Sequence, residues 1–199
     1  MESNTNGKQV SGVAANRRSL VRVSLTALFA ALIAAGTFIS IPLPFTPVPI
    51  VLQNMFALMA GLTLGPAIGG SAVALYLIAG AIGLPVFAGA TGGFVHFFGP
   101  TGGFLFGYLF SAILAGLIAG TPQSGKNTPV YRILLAGIAG ILIVYVPGVL
   151  RLKAVLNVSW AGALATGFTP FIIGDTIKTV IAVIAAGSLR KSAAKALNG

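Results

Sequence analysis

The amino-acid sequence predicts an all-α integral membrane protein with six transmembrane helices. Hydrophobic residues make up 56% of the 199 and charged residues 7%, whereas a soluble domain carries about 25% charged residues. Twelve bases and two acids cannot cover a water-facing surface, so lipid is the expected solvent. Apolar stretches of near-spanning length follow one another along the chain. No segment alternates polar and apolar residues as an outer-membrane barrel does, and helices are the other way to satisfy the backbone in lipid.

A polar tail, residues 1–19, precedes the first span, residues 20–41. That apolar run is longer than the core of a cleavable signal and is read as a retained helix. It carries Ala27, Ala31 and Ala35 at four-residue spacing, with Ala30 and Ala34 beside them. Strips of small residues of this kind allow another helix to approach closely. The second span, 48–64, follows the proline-rich entry Pro42–Pro49 and opens on Gln53 and Asn54, whose amides can glue helices or face a ligand. Gly65-Pro66 sets off the third span, 67–84.

The connection 85–102 is rich in glycine yet holds Phe87, Phe94, Phe97 and Phe98. A solvated linker has no use for four phenylalanines, so this loop is expected to fold back over the bundle and line a pocket. It leads through Gly99-Pro100-Thr101-Gly102 into the fourth span, 103–120, where open backbone amides at a helix start suit a polar ligand. The fifth span is 131–150. Residues 151–170, with Trp160 and Phe168 and little charge, read as a second partly buried cap. The sixth span is 171–189. The result is one membrane domain, 20–190, between two cytoplasmic tails, 1–19 and 191–199.

The bases set the orientation. With the N-terminus inside, Lys8, Arg17, Arg18, Arg22, Lys126, Arg132, Arg190, Lys191 and Lys195 fall on the cytoplasmic side, and only Arg151 and Lys153 outside. The formal charge of +10 is thereby a matter of membrane orientation rather than nucleic-acid binding. An even number of spans returns the C-terminus to the cytoplasm and places the sixth helix with its start outside.

That helix contains the chain's one acid beyond Glu2. Asp175 lies in an apolar segment, and Lys178 follows at a spacing that shares its helix face. A central membrane charge costs roughly 2.5–3.5 kcal/mol on insertion scales, so it needs a compensating role. One role is a structural ion pair joining two helices; the other is a ligand site, with Gly174 allowing close approach. Catalysis finds little support. There is no acid pair, no nucleophile elbow and no cysteine; His96 is the sole histidine and makes a poor metal site. A phosphate-binding loop is absent too, since Gly125-Lys126-Asn127-Thr128 lacks the upstream glycine.

Three segments, Leu84-Pro85-Val86-Phe87, Gly99-Pro100-Thr101-Gly102-Gly103-Phe104-Leu105-Phe106-Gly107-Tyr108 and Pro170-Phe171-Ile172-Ile173-Gly174-Asp175-Thr176-Ile177-Lys178, resemble the BioY family. The resemblance spans about residues 20–190. Members are biotin-binding S components of energy-coupling factor (ECF) transporters. It implies the six-helix S-component fold and capture of biotin from outside. It also implies partnership with a transmembrane coupling protein and ABC ATPases, which would supply the ATP hydrolysis this chain lacks. Biotin is then a transported ligand; no cofactor, metal or nucleic acid is implied. The residues expected at the biotin site are Asp175, Lys178 and Gly174 on the sixth helix, Thr101, Gly102 and Tyr108 at the fourth, Gln53 at the second, and Phe87, Gly92 and Gly93 in the loop. Arg151 is a second candidate for the biotin carboxylate. Ala27, Ala31, Ala35, Ala30 and Ala34 are expected to meet the coupling protein. An S component for another vitamin and a structural membrane protein held by the Asp175–Lys178 pair remain as alternatives.

Overall fold

The computed structural model describes residues 3–198, with side chains from Asn16 onward; Glu2 and the Lys8 side chain lie outside the described residues. Helices dominate in the order α1 (Ser3–Ala35), α2 (Gln53–Leu64), α3 (Pro66–Ala81), α4 (Gly102–Ala119), α5 (Val130–Leu156), α6 (Trp160–Gly167) and α7 (Ile172–Asn198). Four of the helices, α1, α4, α5 and α7, are long and apolar enough to cross a membrane by themselves. With α2 and α3 they correspond to the six predicted spans.

The departures have local causes. The second span is helical only from Gln53, because Pro47 and Pro49 supply no backbone N–H for a helix. Residues 40–51 instead form an antiparallel hairpin, β1 (Ser40–Leu43) and β2 (Thr46–Val51), with Ser40 opposite Val51. A 12-residue α2 rises only about 18 Å, short of the roughly 30 Å hydrocarbon layer. Non-helical backbone at such depth is tolerated where protein buries it or a cavity takes it up, and the alternately buried side chains of β2 do line a cavity. The expected cap at 151–170 is an extension of α5 followed by α6, whose Ser159 side chain accepts the Gly162 N–H at 3.2 Å.

The polar segments at both ends are helical. Helix α1 is assigned from Ser3. Helix α7 runs on to Asn198 with Ala193, Ala194 and Leu197 buried, so residues 191–198 continue a packed helix.

Helices α4 and α5 pack most intimately. Gly103 permits it, since a Cβ there would sit 2.0 Å from the Pro147 carbonyl oxygen of α5. Helix α2 lies centrally, against α4 and α7, and is buried almost throughout. The hairpin and the loop between α3 and α4 cover one end of the bundle. The loop between α4 and α5 lies at the other, with the end of α7.

Candidate functional site

Asp175 sits in the first turn of α7, where the helix dipole favours an acid. It is 6% exposed and Lys178 is 8% exposed. The Lys178 Nζ and the Asn54 Nδ2 both donate to Asp175 Oδ1, each at 2.9 Å. The Tyr145 hydroxyl donates to Oδ2 at 2.5 Å. Lys178 also donates to the Val51 carbonyl at 2.7 Å and to Asn54 Oδ1 at 3.4 Å, so its three N–H groups all have partners. One buried knot therefore ties β2, α2, α5 and α7 together. A carboxylate has about four acceptor sites; the protein donors described here use three of Asp175's, and the fourth is on Oδ2.

A larger cavity of about 560 Å³ lies beside the knot, between the hairpin, the loop 85–101 and the start of α4. Phe87, Thr101, Tyr108 and Gln53 line it, together with His96. Phe87 is held edge-on against Tyr76, His96 and Phe97, with ring centroids 5.6–5.7 Å apart. Gly80 makes room for it, since a Cβ there would fall 2.1 Å from the ring. Paired backbone bonds between Phe87 and Thr91 close the turn that presents the ring, with Gly89 and Ala90 in the left-handed region. Gln53 donates to the Val86 carbonyl at 3.1 Å and to the Thr37 hydroxyl, so it fastens the loop to the end of α1.

Asp175 and Lys178 do not line this large cavity. They face a narrow space of about 30 Å³ behind it, and Val48, Val51, Phe104 and Tyr108 border both spaces. Strand β2 thus forms part of the partition between the apolar chamber and the charged pair.

The glycines have other work. Gly92 and Gly102 fit where a Cβ would meet the carbonyl oxygens of Leu84 at 2.2 Å and Phe97 at 2.1 Å. Gly93 has φ +109° and donates its N–H to Gly80 at 2.7 Å. These positions shape the loop and line neither cavity. Gly174 also lines neither, and nothing lies within 4 Å of a Cβ placed there. Arg151 is turned to the Phe98 carbonyl and holds the loop against α5 rather than facing the chamber.

Two contributors to the knot, Asn54 and Tyr145, stand outside the expected set. Asn54 is not among the expected biotin contacts, where its neighbour Gln53 stands, yet it is the amide that reaches Asp175. Tyr145 gave no signal, being one aromatic in an apolar helix. On α1, Ala27, Ala31 and Ala35 are exposed, while Ala30 is 8% exposed and packs in the core with Ala34 against it. The two alanine rows thus face different ways, and only the first offers an open surface.

The sequence pattern of the BioY family matches residues 8–195. The chain belongs to this family. It is 40% identical over 174 residues to the biotin transporter BioY of Thermotoga maritima, covering 87% of this chain and 96% of that protein. It is 42% identical over 165 residues to the biotin transporter BioY of Rhizobium etli, covering 80% and 88%. Its fold is similar to the crystal structure of the S-component for biotin from an ECF-type ABC transporter. There the TM-score is 0.78 at 32% identity, over 88% of this chain and 94% of that one. This BioY-family chain is accordingly a multi-pass membrane protein with the S-component fold.

Proposed function

We propose that this chain is the biotin-binding membrane subunit of an ECF-type vitamin uptake transporter. It captures biotin from the outside and hands it across the membrane in company with a coupling protein and ABC ATPases. The carrying observation is the apolar chamber set against a buried acid that keeps one acceptor site open, in a chain of the BioY family. The chamber's volume falls within the roughly 300–1,000 Å³ range of small-molecule sites. Biotin offers an apolar thioether ring, ureido N–H donors with a carbonyl, and a flexible arm ending in a carboxylate. Phe87 and Tyr108 supply walls for the ring, and the polar groups of Gln53 and Thr101 meet its edge. Asp175 accepts a ureido N–H once β2 shifts to join the two spaces, while Lys178 stays paired with its other oxygen.

The subunit lies in the cytoplasmic membrane with both termini inside. The support is the segregation of bases: Arg17, Arg18, Arg22, Lys126, Arg132, Arg190, Lys191 and Lys195 cluster at the end of the bundle away from the chamber. The exposed row Ala27, Ala31 and Ala35 on α1 is where the coupling protein docks.

Equilibrium binding of labelled biotin to the purified full chain tests the ligand. Saturable binding displaced by unlabelled biotin, but not by an unrelated vitamin, is expected. No saturable binding would overturn the reading. A structural role for the Asp175–Lys178 pair is the second reading, favoured by the knot's ties to four elements. It predicts unchanged biotin affinity and a lower melting temperature on Asp175→Asn.

A further inference from the structure

A second cavity, about 290 Å³, opens at the opposite end of the bundle, between the loop 120–129, the start of α5 and the last third of α7. Lys126, Lys191 and Arg190 line it, along with Asn127 and Thr128. Arg190 is 5% exposed. It donates to the carbonyls of Leu62, Ala119 (3.1 Å) and Gly120 (2.8 Å), where α2 and α4 end, and to the Thr128 hydroxyl at 3.1 Å. Its cation is thus fixed by helix C-termini, which attract positive charge, rather than by a carboxylate. Asp175, the one acid among the described residues, is fifteen residues away on the same helix, a separation of about 22 Å.

This leaves a concave site with three cations and hydrogen-bonding side chains, shaped for an anion. Its setting narrows the source of that anion. From the cavity's rim the outer face of α5 rises uncovered and apolar: Val130 is 76% exposed, Tyr131 66% and Leu135 56%. A tyrosine at such a level matches the interfacial aromatic belt. Basic pockets between helices on this side of a membrane suit phospholipid headgroups. A free phosphate would use the cations but leave the apolar ramp idle; a lipid uses both.

We propose that this cavity binds the phosphate headgroup of an anionic phospholipid. Lys126 and Lys191 contact the phosphate, Arg190 supplies a fixed positive field behind it, and the acyl chains lie along α5 from Val130 and Tyr131. The bound lipid would brace the loop 120–129 against α7.

The test titrates purified full chain in uncharged detergent with phosphatidylglycerol, phosphatidylcholine or inorganic phosphate, reading apparent affinity from the shift in melting temperature. Phosphatidylglycerol is expected to stabilise saturably and more strongly than the other two. Lys126→Gln with Lys191→Gln should weaken that effect roughly thirtyfold, the factor two charges near an anionic surface supply. Both side chains are exposed, so the lipid-free melting temperature should be unchanged. Arg17→Gln with Arg18→Gln removes equal charge from α1 and should leave the effect intact. Three results would overturn the proposal: equal weakening by the α1 pair, which would mean diffuse surface attraction; equal stabilisation by phosphatidylcholine; or the full effect from inorganic phosphate, which would make the cavity a small-anion site.

Discussion

Asn54 and Asp175 stand 121 positions apart in sequence and meet at 2.9 Å in the protein interior. The amide comes from the first turn of α2 and the acid from the first turn of α7. Asn54 also stands within 3.4 Å of the Lys178 ammonium through its carbonyl oxygen. One neutral side chain therefore donates to the acid and accepts from the base. Replacing it with Leu would leave both partners short of a bond they cannot regain from water. Asn54→Leu is expected to lower stability by about 1–3 kcal/mol and to weaken biotin binding. Thermal unfolding and equilibrium binding on the same preparation check it; unchanged values for both would show the contact to be dispensable.

Tyr145→Phe removes the hydroxyl that donates to Asp175 Oδ2 and little else. A hydrogen bond to a charged group contributes about 1.5–3 kcal/mol. The variant should therefore melt earlier than the parent, while the ring still packs against Phe104 and Phe168. If Asp175 then turns inward to neighbouring donors, biotin affinity falls as well. Retained stability and affinity would place Tyr145 outside the site.

Two glycines separate chain geometry from ligand contact. At Gly80 a methyl group would invade the Phe87 ring, and overpacking of this kind costs about 1–3 kcal/mol. Gly80→Ala is expected to displace Phe87 and so reduce both stability and binding. Gly174→Ala meets open space and should leave stability and affinity as they are. Loss of affinity at an unchanged melting temperature in Gly174→Ala would show that the ligand comes closer to α7 than this geometry implies.

The two alanine rows of α1 should behave oppositely. Ala31→Leu enlarges an exposed position and is expected to spare biotin binding while reducing co-purification with the coupling protein. Ala30→Leu enlarges a position only 8% exposed and should lower the melting temperature. If Ala31→Leu abolishes binding with assembly intact, the exposed row is not the docking face.

Much of this protein is legible in its sequence because lipid imposes simple rules. Spans, breaks and the outlying Asp175–Lys178 pair follow from hydropathy, Pro and Gly, and charge, and the bases do segregate to one end of the bundle. What escaped was long-range. Asn54 and Gln53 are adjacent amides in one helical turn, and nothing local says that one turns to α7 and the other to the loop at Val86. Residues 48–51 open the expected second span, yet with Pro47 and Pro49 alternating along it the segment forms strand β2. The glycines of the loop 85–102 read as a ligand cradle, but Gly92 and Gly102 are required by the close approach of the Leu84 and Phe97 carbonyl oxygens. The cation of Arg190 likewise finds its partners only when the ends of α2 and α4 come together.

Biotin affinity of Asp175→Asn, measured by equilibrium binding alongside its melting temperature, tests the central claim most directly. Removing one partner of a buried pair leaves the other charge uncompensated, which destabilises by about 3–5 kcal/mol. The double replacement Asp175→Asn with Lys178→Met is therefore measured beside it, since exchanging a whole buried pair is often neutral. The account predicts that the double variant stays folded and that both variants lose biotin affinity by roughly tenfold or more, the value of a hydrogen bond to a charged group. Parental affinity in the folded double variant would contradict it and leave the pair as a structural tie between helices.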